Sequence, residues 1–209
     1  MFHDRIEAGL QLAAKLKKFK NEPGVVLSVP RGGVPVAYIV AKELGFPMEL
    51  ILTKKISHPM NKEYAIGVAS LTDYFIVPHE HVSQKYIEKE LLNVRNRLKE
   101  MYKRFMGDKE PESLEGKTVI VIDDGIATGN TLSGTVNMLR KSKPGKIIIG
   151  VPVGSKDAVK KLSKEVDEVI AVIMPEEFHA VGLFYEDFGQ VSDEKVILYL
   201  EKLKALRKA

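Results

Sequence analysis

VIVIDDGIATGNTL, Val119 to Leu132, runs four β-branched residues straight into two adjacent carboxylates and then into a loop of glycines and threonines. The apolar run reads as a buried strand, and Gly125 with Gly129 reads as a tight turn. A helical pattern follows from Thr131 to Lys141. Strand, loop and helix account for the backbone. They leave unexplained why Asp123 and Asp124 stand side by side where the strand ends.

The same strand–loop–helix rhythm extends outward in both directions. Towards the amino terminus, VVLSV (Val25 to Val29) leads through Pro30-Arg31-Gly32-Gly33 into a helical pattern from Val34 to Leu44, closed by Gly45. Before it, Asp4 and Glu7 form a capping-box pattern, and Leu12, Leu16 and Phe19 predict an opening helix to about Lys20. After it, MELILTKK (Met48 to Lys55) predicts a second strand, feeding ISHPMNKEYAIG, a segment too polar and turn-rich for the core. Ile66 to Leu71 and Tyr74 to Val77 flank Thr72-Asp73 as a candidate hairpin. A long helix is expected from about Val82 to Phe105, with Ile87, Leu91, Val94, Leu98, Met101 and Phe105 spaced by four and three. That stripe suits packing on the protein's own sheet or a dimer seam.

Towards the carboxyl terminus come IIIGVPV with a helix from Lys156 to Lys164, then EVIAVIM, the irregular PEEFHAVGLFYEDFGQ, and a last helix from Ser192. Strands alternating with helices imply an α/β fold with a mostly parallel central sheet and helices on both faces. One domain is expected over residues 1–209, with a core at about 22–172, a helical insertion at about 80–106 and a small hood at about 174–191.

Composition narrows the chemistry. There is no cysteine, which removes disulfides, thiolate nucleophiles and cysteine-bound metals. Among the five histidines only His79-Glu80-His81 approaches a ligand spacing, and it reads as a solvated turn. A net charge of +4 spread along the chain argues against a nucleic-acid surface and leaves room for a phosphorylated ligand. No apolar run nears the roughly 18 residues of a membrane helix, and the start lacks a signal-peptide pattern. A cytoplasmic protein with no membrane partner is expected.

In open α/β sheets ligands bind at the carboxyl ends of strands beside a topological switch. Arg31-Gly32-Gly33, Lys54-Lys55 and Asp123-Asp124 all fall at such ends in this reading. Gly125 to Thr131 (Gly125, Ile126, Ala127, Thr128, Gly129, Asn130, Thr131) precede a helix, so their backbone N–H groups and the Thr128 and Thr131 hydroxyls suit a phosphate monoester. Two carboxylates beside a phosphate would repel it unless they face sugar hydroxyls or a divalent cation. The combination describes a cradle for ribose 5-phosphate. A Walker loop is excluded because Gly125 and Gly129 are too close and Asn130 stands where lysine is required; G-x-G-x-x-G is absent.

VIVIDDGIATGNTL closely resembles the signature of the type I phosphoribosyltransferases, and VPRGGVPVA and ISHPMNKEYAIG fall where that family carries a pyrophosphate loop and a mobile loop. The resemblance spans most of the chain and implies the type I phosphoribosyltransferase fold. It implies transfer of the phosphoribosyl group from phosphoribosyl pyrophosphate to a nitrogenous base, with Mg2+ neutralising the leaving pyrophosphate. Asp123 and Asp124 would then meet the ribose hydroxyls and the metal, and Gly125 to Thr131 the 5-phosphate. Arg31, Gly32 and Gly33, with Lys54 or Lys55, would take the pyrophosphate. Ala127 stands where the 6-oxopurine enzymes typically carry a proton-exchanging aspartate; adenine-type members carry alanine there and rely on a glutamate in the mobile loop, and the resemblance implies a comparable part for Glu63. Phe178, Phe184 and Tyr185, with Phe188, are candidate base platforms. A homodimer fits the family.

Each residue also has a plainer reading. Asp123 and Asp124 could form a capped surface turn, Arg31 a turn arginine, Lys54 and Lys55 solvated strand ends, Glu63 a loop surface residue, and the aromatics core. A non-catalytic sensor of phosphoribosyl pyrophosphate or a nucleotide would use the same cradle, and a salvage role on an unusual acceptor is a further reading.

Overall fold

A computed structural model describes residues 1–71, 73–77 and 82–207. Thr72 of the expected turn and the His79-Glu80-His81 triplet lie outside the described residues, as do the side chains of Lys62 and Glu63.

Five parallel strands form the central sheet: β1 (Gly24–Ser28), β2 (Met48–Leu50), β6 (Thr118–Ile122), β7 (Lys146–Val153) and β8 (Glu168–Ile173), in the order β2-β1-β6-β7-β8. Because successive strand residues face opposite sides, the apolar runs split into two sets. Val26, Ile120, Ile122, Ile148 and Ile170 pack against α1 (Arg5–Leu16) and α2 (Gly33–Leu44). Val25, Leu27, Val119, Val121, Ile147 and Ile149 pack against α4 (Asn130–Lys141) and α5 (Lys156–Leu162). The expected parallel sheet with helices on both faces is what the chain forms.

The opening helix ends at Leu16, and Lys17–Phe19 continue as a 3-10 turn. Asp4 Oδ1 accepts from the backbone N–H groups of Ile6 and Glu7, as a cap should. Glu7 reaches back to the N–H of His3 rather than that of Asp4, so the capping box is offset by one residue.

Between the two halves of the sheet the expectations need correction. The second strand stops at Leu50, and Lys54 and Lys55 belong to a separate antiparallel sheet of β3 (Lys54–His58), β4 (Asn61–Ala69) and β5 (Tyr74–Ile76). The segment ISHPMNKEYAIG is thus a hairpin rather than an open polar loop. Its two isoleucines, Ile56 and Ile66, are fully buried and join the main core, while Ser57 and His58 are half-buried and Asn61 and Tyr64 exposed. The long helix α3 (Gln84–Met106) covers this sheet with Leu91, Val94, Leu98 and Phe105 and also touches α6 (Asp193–Leu206). The apolar stripe of α3 therefore packs within the chain. Tyr86 of α3 donates its hydroxyl to Ser57 O of β3, tying the two together.

Candidate active site

The chain leaves β1 for β2 on one side and returns to β6 on the other, so the switch lies between β1 and β6. Ser28 aligns with Ile122, and the next residue, Val29, donates its N–H to Ile122 O at 2.9 Å. The P-R-G-G turn therefore starts beside the acid pair. Its glycines are required by proximity: a Cβ on Gly32 would lie 2.1 Å from Asp124 Oδ2, and one on Gly33 would lie 2.8 Å from Ile122 O. The Pro30–Arg31 peptide bond is cis.

The two acids have different surroundings. Asp123 Oδ1 accepts the Asp124 N–H at 2.9 Å. Burial, and then the neighbouring Asp124, push the Asp123 carboxyl well above the usual aspartate range. Asp124 faces the cleft and meets a residue that no local pattern had marked. Arg5, the first residue of α1, donates Nε at 2.9 Å and Nη2 at 2.8 Å to Asp124 Oδ2. Arg5 also donates Nη1 to Gly189 O at 2.8 Å, and its guanidinium lies 3.9 Å from the Phe188 ring centre.

The loop after the acids is held from below. Ile126 N–H donates to Val153 O, Ser155 N–H to Ile126 O, and Ser155 Oγ to Ala127 O. Gly129 adopts φ 71°, which favours glycine, and α4 starts there with no side-chain cap. Ala127, Thr128, Asn130 and Thr131 are exposed. Lys161 donates to Asn130 Oδ1 at 2.8 Å. The first turn of α4 thus offers backbone donors flanked by two hydroxyls, the arrangement an anion requires.

An open cleft of about 530 Å3 is lined by Arg5, Arg31, Gly32, Asp124, Phe188 and Gln190 among others. Arg31 is roughly half exposed and makes a long 3.4 Å contact with Asp193 Oδ1, whose other oxygen accepts Arg104 at 2.7 Å. Lys54 and Lys55 do not line this cleft, because they sit on β3. A second recess of about 720 Å3 lies between Ala127–Thr128, the start of α5 and Phe178. Phe178 and Phe184 stack on each other with ring centres 5.7 Å apart.

Tyr185 is not available as a base platform. It is 5% exposed, its ring packs against Phe2 and Phe188, and its hydroxyl donates to Asp124 O at 2.6 Å. Burial raises its phenol above the usual value and keeps it protonated. The tail is also tied to the start of the chain: Phe2 N–H donates to Phe184 O, Glu186 N–H to Phe2 O and Asp187 N–H to His3 O.

No cluster of three or more His, Cys, Asp or Glu side chains converges among the described residues. A divalent cation here would draw one or two carboxylate oxygens from Asp123 and Asp124 and the remainder from ligand and water, a donor set that suits Mg2+.

Residues 4–188 match the family model of the phosphoribosyl transferase domain. The chain belongs to the phosphoribosyl transferase family. A Mycobacterium tuberculosis protein provisionally named a phosphoribosyl transferase is 32% identical to this family member over 97% of its length. The chain spans 47% of that curated relative. A Mycobacterium tuberculosis amidophosphoribosyltransferase is 30% identical over 72% of the chain and 22% of its own length. The crystal structure of TT1426 from Thermus thermophilus superposes with a TM-score of 0.83 at 35% identity, covering 97% of this phosphoribosyl transferase-family chain and 98% of the other.

Proposed function

We infer that this chain binds phosphoribosyl pyrophosphate at the β1/β6 switch and transfers its phosphoribosyl group to a nitrogenous base. The observation that carries the reading is the juxtaposition of the acid pair with the glycine turn and the uncapped start of α4. In the reaction the bond from C1 of the ribose to pyrophosphate oxygen breaks, a bond from C1 to the acceptor nitrogen forms, and a proton leaves that nitrogen. The site's work is placement and electrostatics.

The N–H groups of Gly125 to Thr131, with the Thr128 and Thr131 hydroxyls, hold the 5-phosphate. Asp123 and Asp124 accept from the ribose hydroxyls. Arg31, Gly32 and Gly33 receive the pyrophosphate, to which Arg31 can turn because its ion pair with Asp193 is long. Asp123 and Asp124 would hold Mg2+ together with the pyrophosphate, where the ion would supply neutralisation of charge on the leaving group. The acceptor enters between Ala127 and the hood, where Phe178 and Phe184 offer ring faces; Ala127 itself exchanges no proton, and Glu63 is the acid the sequence offers for that task. Lys54 and Lys55 are second-rank candidates for charge, since β3 carries them away from the cleft. The whole chain forms one unit with the hood at 174–191, acting in salvage as a soluble protein of the cytoplasm, alone or as a homodimer.

The test combines binding and turnover. Phosphoribosyl pyrophosphate with Mg2+ should raise the thermal midpoint of the parent protein, since a ligand bound only by the folded state must do so. Asp124→Asn should shrink that rise, measured from the variant's own ligand-free midpoint, which falls because Arg5 loses its buried carboxylate partner. Pyrophosphate release on adding individual nucleobases then identifies the acceptor. Binding without release for any base favours the sensor. An unchanged midpoint at saturating ligand removes the phosphoribosyl reading.

A further inference from the structure

We propose that Arg5 is the positioning residue of the ribose-binding half of the site, a resident cation that fixes the Asp124 carboxylate and aims its free oxygen at the sugar. The inference rests on the reading of Asp124 as a ribose-hydroxyl acceptor.

Arg5 is held from three sides. Two of its N–H groups converge on a single oxygen, Asp124 Oδ2, and a third donates to Gly189 O. Its planar face lies over Phe188. The Arg5 and Asp124 side chains are only 11% and 15% exposed, so the pair is poorly screened and fixed in direction. Behind Asp124 the backbone of Gly32 leaves no room for a Cβ, and the Asp124 N–H is committed to Asp123 Oδ1. One carboxylate oxygen is thereby occupied and the other, Oδ1, is left for a ligand.

Two adjacent carboxylates beside a phosphate-binding loop repel the anion that loop is built to receive. A fixed guanidinium cancels one of those charges before any ligand arrives, and it does so without filling the cleft. It also links recognition of the sugar to two other parts of the chain, because the same side chain carries the start of α1 and clasps the tail at Phe188 and Gly189.

Calorimetric titration of ribose 5-phosphate and of pyrophosphate, each without divalent metal, separates this role from a structural one. Arg5→Met should weaken ribose 5-phosphate binding by about tenfold or more, the size expected for a charge-assisted contact, while pyrophosphate binding stays within about twofold. Arg5→Lys, which keeps the charge but lacks the fork, should fall between parent and Arg5→Met. Asp124→Asn, costly in the parent, should add little in the Arg5→Met background. Unchanged ribose 5-phosphate binding in Arg5→Met overturns the proposal, and so does an equal loss of both ligands in Arg5→Lys with a lowered thermal midpoint, which makes Arg5 a strut. If the parent binds neither ligand, the phosphoribosyl reading itself fails, and the role of Arg5 with it.

Discussion

Asp123 and Asp124 are neighbours in sequence with different partners. Asp124 meets Arg5; Asp123 accepts the Asp124 N–H, and burial first and the adjacent charge second raise its affinity for a proton. The folded state therefore binds that proton more tightly than the unfolded chain, and stability must fall as pH rises from about 4, the unfolded aspartate value, through the raised folded value. Asp123→Asn keeps an oxygen to accept the Asp124 N–H and removes the titration. Its thermal midpoint should exceed the parent's at pH 8, the two should converge near pH 4, and ligand-induced stabilisation should drop. A variant less stable than the parent at pH 8 would contradict this account. The exchange of stability for function is common where a site keeps a charge in an unfavourable place.

At the scale of elements, β2 and the linker after α3 meet through a buried carboxylate. Glu49 is 4% exposed, yet it accepts from Lys109 at 2.5 Å and from the Tyr102 hydroxyl at 3.3 Å. Burial raises its pKa, and Lys109 works against that rise. Lys109→Met should cost about 1–2 kcal/mol at pH 8, less than for a fully buried pair because Lys109 is partly solvated. The loss should shrink towards pH 5 as Glu49 takes up a proton instead, and urea unfolding at both pH values measures it. The central strands were legible because each is a short apolar run closed by turn residues. The hairpin of β3 and β4 was not, because only Ile56 and Ile66 mark its inner face and Pro59, Asn61 and Gly67 resemble a loop. Lys54 and Lys55 were misplaced for the same reason: nothing local separates an edge of one sheet from the end of a strand in another.

For the whole molecule, the site is a meeting of distant segments. The acid pair, the loop after it and the glycine turn could be read from sequence because each carries its chemistry within a few residues. Arg5 could not, since it lies 119 positions from its partner and sits in an ordinary helix start. The tail segment around Tyr185 likewise packs on the first residues, with Phe2 fully buried against Tyr185. Phe2→Ala should cost about 3 kcal/mol or more, as large-to-small changes in packed sites do. Amide exchange should speed up together at Phe2, Tyr185, Glu186 and Asp187 while β6 and β7 stay protected; exchange confined to the first residues would show that these segments do not open as one unit.

The position of β1 also sets the order in which the protein can be made. Gly24 to Ser28 pair on one side with β2 and on the other with β6, whose residues Thr118 to Ile122 are synthesised only after the entire hairpin sheet and α3. At about 5–20 residues per second on the ribosome, the finished β1–β2 pair waits several seconds with its inner edge open. The crevice between β1 and β6 therefore cannot close until more than half of the chain has been made, and a nascent chain stalled before Thr118 would present that open edge to chaperones or to other copies of itself.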